Sequence, residues 1–203
     1  LDGTLINSMD GHFASWSKIL KSEYNYRLNK AKFMCLEGAK LNILIRNLLS
    51  ENDIIISKQK MEKLINRKDI EYTKNNQTIF YPNTIEVIKF LKSKKIITII
   101  VSAGSRKRIL STLPSSFLKF FDYIITGNDC KFGKPHPEPY LKALFKSKLS
   151  YENCCVLENA PLGIESAIKA NLFTIAITNT LKKNKLSKAN KVISDIIELK
   201  EFF

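Results

Sequence analysis

The stretch Ile96-Ile97-Thr98-Ile99-Ile100-Val101-Ser102-Ala103-Gly104-Ser105-Arg106 decides the fold. Branched apolar residues run almost unbroken into a hydroxyl, two small residues and a second hydroxyl, after which an amphipathic segment begins. β-Branched side chains favour extended backbone. An apolar run without alternation is what a strand needs when helices cover both of its faces. The run is far shorter than the roughly 20 residues that a membrane-crossing helix requires.

The same alternation spreads outward from this stretch. Residues 83–94 read as a helix and 96–102 as a buried strand, followed by a helix from 105, a strand at 123–126 and a helix from 138 to about 147. Strands at 154–157, 173–177 and 191–193 follow, with a helix at 162–170 between the first two. Helices and short apolar strands in alternation define an α/β chain with a parallel sheet. Right-handed crossovers would bring all the strand C-termini to one edge. Residues 10–78 differ: their apolar positions, such as Leu41, Leu44, Ile45, Leu48 and Leu49, recur at helical spacing. They predict a helical domain inserted into an α/β core made of residues 1–9 and 79–203.

Composition narrows the function. The chain of 203 residues carries 33 Lys and Arg against 19 Asp and Glu, a formal charge of +14. The lysines are spread along every segment and do not interleave with aromatic residues, so a solvated basic surface is expected and no nucleic-acid partner. Cys35, Cys130, Cys154 and Cys155 form no C-x-x-C pair and have no His at zinc spacing. Reduced thiols in a cytoplasmic protein follow, with no membrane partner and the chain acting as a monomer.

The turn at Ser102-Ala103-Gly104-Ser105-Arg106 reads in two ways. A hydroxyl followed by backbone N–H groups at a helix start can hold phosphoryl oxygens, with Gly104 permitting close approach. It could equally be an ordinary strand-to-helix turn capped by Ser105.

Three further motifs lie in order around that turn. The chain opens Leu1-Asp2-Gly3-Thr4-Leu5, later runs Gly133-Lys134-Pro135-His136-Pro137-Glu138, and then Val156-Leu157-Glu158-Asn159-Ala160-Pro161-Leu162-Gly163-Ile164. Together they resemble the D-x-D-G-T-L, Ser/Thr, G-K-P-x-P-[DE] and E-[DN]-x-x-x-G-[IV] motifs of the haloacid dehalogenase superfamily. The resemblance covers nearly the whole chain and implies a Rossmann-like core with an inserted helical cap. It is closest to the phosphoglucomutase and phosphoglycolate phosphatase-like group, whose entry into the cap is similar to Leu5-Ile6-Asn7-Ser8-Met9-Asp10-Gly11-His12-Phe13-Ala14-Ser15-Trp16.

The resemblance implies a Mg²⁺-dependent phosphatase acting on a small phosphorylated metabolite. Asp2 would be the general acid and base, Ser102 and Lys134 catalytic partners, and Thr4, Ala103, Gly104, Ser105 and Arg106 the phosphate cradle. Asp2, Glu158 and Asn159 would face the metal. Asn159 stands where many relatives have Asp, although its side-chain oxygen could still coordinate. Asp129 matches a frequent acidic position, but capping a helix would explain it as well. His12 could orient Asp2 or lie on a surface hinge. Mutases of the group carry an Arg where this chain has Leu41; neighbouring Lys40 could replace it in part, and the departure favours a phosphatase over a mutase. A non-catalytic phosphate-binding relative is the third reading. An acid at position 2 also disfavours cleavage of C–halogen and C–P bonds, because an alkoxide needs a proton and a halide does not.

In the family the first Asp of D-x-D is the nucleophile, which the alignment sets immediately before Leu1. Its strand lies between those ending at Ser102 and Glu158. The expectation is therefore that these 203 residues are part of a longer chain and that alone they bind phosphate and metal weakly and catalyse nothing.

Overall fold

A computed structural model describes residues 1–50, 54–75 and 77–203. Residues 51–53 and 76, which belong to the expected helical insertion, lie outside the described residues.

Four helices follow the opening loop: α1 (Met9–Tyr24), α2 (Lys30–Cys35), α3 (Leu41–Ser50) and α4 (Lys58–Asn75). The stripe foreseen on α3 is real, with Leu44, Ile45, Leu48 and Leu49 buried against Trp16 and Leu20 of α1 and Met61 of α4. On α4 the buried positions are Met61, Leu64, Lys68 and Tyr72. Their spacing of three and four residues is that of one helix face. A lysine on that face breaks the apolar pattern, and its partners are described below.

The remainder alternates as expected. It comprises α5 (Thr84–Ser93), β1 (Ile99–Val101), α6 (Arg106–Thr112), α7 (Ser115–Leu118), β2 (Tyr123–Ile125), α8 (Glu138–Ser147), β3 (Cys155–Glu158), α9 (Pro161–Lys169), β4 (Phe173–Ile177) and β5 (Lys191–Ile193). The strand expected from residue 96 starts three residues later. Lys95 has a positive φ of 59°, and Thr98 is fastened through its N–H and hydroxyl to Asp122 and Phe120, so the approach to β1 is a tethered turn. Pro161 opens α9, where a missing N–H costs nothing.

All strand pairs are parallel, but the strands form two pieces, β1-β2 and β3-β4-β5. Between β1 and β3 lies an apolar slot of about 530 Å³ lined by Ile99, Val101, Cys155 and Leu157 of the facing strands and by Leu5, Val87 and Leu91. Two strand edges that face each other without pairing leave N–H and C=O groups without ladder partners. Leu1 stands at the mouth of the slot and also lines the pocket described next. The apolar centre of this half joins Leu5 and Ile6 to Val87, Ile100, Ile109, Phe117, Ile175 and Ile177. Among the described residues, no helix is long and apolar enough to cross a membrane.

Candidate active site

The C-terminal ends of β1 and β3 and the opening loop meet beneath α1–α4 at a cavity of about 80 Å³. Its lining includes Asp2, Ser102, Ala103, Gly104, Lys134, Glu158 and Asn159 from one side and His12, Trp16, Phe33, Glu37, Leu44, Lys68 and Asp69 from the helical layer. The strand ends put these residues on one edge, where an open parallel sheet carries its ligands.

Asp2 is the most heavily engaged group. Ser8 Oγ donates to its Oδ1 at 2.9 Å, and His12 Nε2 lies 3.0 Å from the same oxygen. Arg108 grips both oxygens, Nη1 to Oδ1 at 3.0 Å and Nη2 to Oδ2 at 2.7 Å. Burial pushes the Asp2 carboxyl up, but Arg108 and His12 outweigh it and hold it well below the usual carboxylate range. Lys68 Nζ reaches His12 Nδ1 at 2.9 Å. An ammonium can only donate, so Nδ1 accepts and the ring proton sits on Nε2, facing Asp2. Burial and Lys68 push His12 down to about 4, so the ring is neutral at pH 7. Tyr72 stacks on it with ring centres 4.0 Å apart.

Lys134 and Glu158 form the second focus. Lys134 donates to Glu158 Oε1, as does the hydroxyl of Tyr140. Both ends of the ion pair are buried, at 6% side-chain exposure each. The Lys134–Pro135 peptide is cis. A Cβ on Gly163, the third residue of α9, would collide with the Glu158 carboxylate, so the first turn of the helix after the acid has a glycine there.

In the 102–105 turn Ser105 caps the helix, as one of the two readings expects, and Ser102 points into the pocket. Ser102 Oγ lies 3.4 Å from Asp2 Oδ2 and accepts from Gly104 N at 3.2 Å, so it faces the pocket. Ser105 caps α6, accepting from Arg108 N at 3.2 Å, and its hydroxyl donates to Asp69 of α4 at 2.6 Å. Ser105 is thus a tie to the helical layer and does not line the cavity.

Other expected residues fall elsewhere. Arg106 turns away to Asp129 at 2.8 Å and to the Ile124 carbonyl at 2.9 Å. Arg108, one helical step on, is the arginine that enters the pocket. A Cβ on Gly104 would collide with its guanidinium. Asp129 caps its own turn through Thr126. Lys40 Nζ donates to the Cys130 and Lys131 carbonyls at 2.6 and 3.1 Å, tethering the α2–α3 loop to the core. Thr4 donates to Asn159 Oδ1 at 2.8 Å. Asn159 Nδ2 in turn donates to Glu37 at 2.5 Å and to Thr180 at 2.9 Å, so both ends of its amide are occupied.

Four charged pocket residues lie outside the sequence motifs: Glu37, Lys68, Asp69 and Arg108. Only Lys68 left a signal, as the one charged position on the buried face of α4.

Hard cations need several converging oxygens. Among the described residues no three His, Cys, Asp or Glu side chains are arranged to hold a metal. Glu158 is engaged by Lys134 and Tyr140. These side chains therefore do not by themselves fit a magnesium ion.

A parallel-sheet core whose strand ends gather two acids, a buried lysine and a hydroxyl-led turn defines a hydrolase of phosphoryl or related groups. The chain belongs to the haloacid dehalogenase-like hydrolase family, whose model matches residues 1–177. It is 26% identical over 190 residues to the phosphorylated carbohydrates phosphatase of Thermotoga maritima, covering 91% of this chain and 86% of that one. It is 28% identical over 203 residues to the pyrophosphatase PpaX of Oceanobacillus iheyensis, covering 98% and 92%. Its fold is that of the beta-phosphoglucomutase of Clostridium difficile, with a TM-score of 0.83 at 22% identity over 99% of this chain and 93% of that one.

Proposed function

We infer that the protein is a phosphatase of small phosphorylated metabolites working through an aspartyl phosphate. The observation that carries this reading is the convergence of Asp2, the Ser102 turn and Lys134 on one closed pocket. In the family pattern the nucleophile is the carboxylate two positions before the residue matched by Asp2, and a strand carrying it would lie between β1 and β3.

In the first step a carboxylate oxygen attacks phosphorus, the bond to the leaving oxygen breaks, and that oxygen takes a proton that Asp2 can carry only once it is freed from Arg108, because the paired Asp2 is a carboxylate. In the second, water attacks phosphorus and returns a proton to Asp2, and the bond to the nucleophile breaks with release of phosphate. Lys134 offsets the charge of the phosphoryl oxygens, and the 102–104 turn supplies donors to them. His12, held by Lys68, and Arg108 fix the orientation of Asp2 from both sides. Mg²⁺, which the family resemblance implies, would supply further charge neutralisation; the Asp2 carbonyl, Glu158 and Asn159 are the nearest candidates to face it. Because the described side chains do not make up a shell, no step is drawn through it.

At the position where mutases of the group carry an Arg this chain has Leu41, and Lys40 is spent on backbone carbonyls, which supports hydrolysis over phosphoryl transfer to a sugar.

The test is to express the chain with the residues that precede Leu1 and to measure phosphate release from acetyl phosphate and sugar phosphates with Mg²⁺. Turnover that vanishes when the upstream Asp becomes Asn, and that is absent from residues 1–203 alone, is expected. No turnover by the extended chain defeats the reading.

A further inference from the structure

Arg108 brings a permanent charge into the pocket and spends it on Asp2. Its side chain is 3% exposed, and its guanidinium grips both oxygens of the carboxylate. The Tyr72 ring centre lies 5.8 Å from its Cζ, and a Cβ on Gly104 would collide with its Nη2, so the guanidinium lies across the 102–104 turn. That turn is where the phosphatase reading sets the phosphoryl oxygens.

The two oxygens of Asp2 are held in different ways. Oδ1 accepts from Ser8 Oγ at 2.9 Å and Arg108 Nη1 at 3.0 Å and faces His12 Nε2 at 3.0 Å. Oδ2 is met by Arg108 Nη2 at 2.7 Å and by Ser102 Oγ at 3.4 Å. Ser8 and His12 would therefore keep Asp2 in place through Oδ1 if Arg108 and Ser102 turned to another acceptor. Oδ2 would then stand free.

A buried guanidinium cannot be left without an anion, because arginine does not lose its proton and an unpaired buried charge is strongly unfavourable. Asp2 can therefore leave Arg108 only if a second anion takes its place. Asp69, the other carboxylate that acts on the guanidinium, is already engaged by Ser105 at 2.6 Å and by Lys68 at 3.4 Å. The anion that enters the pocket is the phosphoryl group, whose oxygens suit the planar fork as a carboxylate's do. We propose that Arg108 is a counter-ion switch: it locks Asp2 in the empty enzyme and, when substrate binds, passes to the phosphoryl group together with the Ser102 hydroxyl.

The proposal rests on the phosphatase reading and adds a catalytic residue to it. With Ser8 and His12 still on Oδ1, the vacated Oδ2 is the atom that exchanges a proton with the leaving oxygen and later with water. The two events are thereby tied together. Asp2 is released when a phosphoryl group is present and stays locked in a pocket that only water enters.

The test measures calorimetric binding of inorganic phosphate, with Mg²⁺, to the chain extended by the residues that precede Leu1. Wild type, Asp2→Asn, Arg108→Met and the double variant are compared. Asp2→Asn frees the guanidinium, and phosphate binds more tightly. That gain is expected to be about tenfold greater with Arg108 present than in the Arg108→Met background, the worth of one charge-assisted hydrogen bond. A gain of equal size in both backgrounds, which removal of a repelling carboxylate would give by itself, overturns the proposal. A crystal structure of the wild-type phosphate complex reads the same exchange without any substitution, and so decides the matter if a variant fails to fold. The guanidinium is expected within hydrogen-bond distance of a phosphate oxygen and away from Asp2 Oδ2; a guanidinium still forked on Asp2 beside bound phosphate overturns the proposal. The exchange observed without hydrolysis of any ester would defeat the phosphatase reading alone.

Discussion

Replacing Arg108 by Met tests the claim that a buried ion pair holds Asp2 in place. Arg108 is 3% exposed at its side chain and Asp2 15%, and the contact is bidentate at 3.0 and 2.7 Å. With charge centres ~4 Å apart and an effective dielectric of ~20, their attraction is about 4 kcal/mol. Removing one member of such a pair typically costs ~3–5 kcal/mol because the other charge stays buried. Ser8 and His12 remain bonded to Asp2 and soften the loss, which places the expected destabilisation at about 3 kcal/mol. For a chain of this size that lowers the melting temperature by roughly 6–12 °C. Asp2→Asn strands the guanidinium and is also destabilising, while the double variant Arg108→Met/Asp2→Asn removes both charges. Urea unfolding of all four proteins closes the cycle, with an expected coupling of at least ~2 kcal/mol. A coupling below ~0.5 kcal/mol would refute the pair as a structural element, since the geometry would then be carrying no energy.

Two further outcomes follow from the burial pattern. His12 falls from its ordinary 6.5 to about 4 on folding, so between those values the unfolded chain binds a proton that the folded chain does not. Stability contributed by neutral His12 is complete above pH 6.5 and is lost as pH falls toward 4, by up to ~3 kcal/mol; urea midpoints across this window should fall more steeply for wild type than for His12→Gln, and parallel profiles would contradict the assignment. Leu48, fully buried at the centre of the α1–α4 cluster, should cost about 2–5 kcal/mol when cut to Ala, read by the same unfolding assay, and a loss below ~1 kcal/mol would mean that the stripe is not packed as described.

What the sequence made legible was local. Periodicity placed α8, β4 and β5 at their observed bounds because each has a clean apolar rhythm and a turn residue or proline at its edge. The four motifs were readable because each is a short run at a strand's end, and the fold gathers strand ends without further instruction. The strand before Ser102 was read too long, since Ile96 and Ile97 look like Ile99 and Ile100 until the turn at Lys95 is seen. Arg106 and Arg108 are both basic residues at the start of one helix, two positions apart and so on roughly opposite faces at 3.6 residues per turn, and contacts with Ile124 and Asp129, distant in sequence, draw the first outward.

Pairs joined across long stretches of chain left little trace in either partner alone, the charge of Lys68 on a buried helix face excepted. Lys68 meets His12 from 56 residues away and Asn159 meets Glu37 across 122. A neutral residue at position 159, taken by itself, reads as a lost charge and as a weakness in the site. Set against Glu37 it gains a role, because its amide donates to a carboxyl that burial pushes up to about 8 and fastens the α2–α3 loop to the core. The same logic covers Gly104, whose smallness reads as room for phosphoryl oxygens until Arg108 is found lying across it. Each motif was therefore legible as a family trait, while the features particular to this chain are substitutions that make sense only beside a distant partner. Those partners all line the one pocket between the helical layer and the strand ends, so the features particular to this chain gather where the family motifs gather.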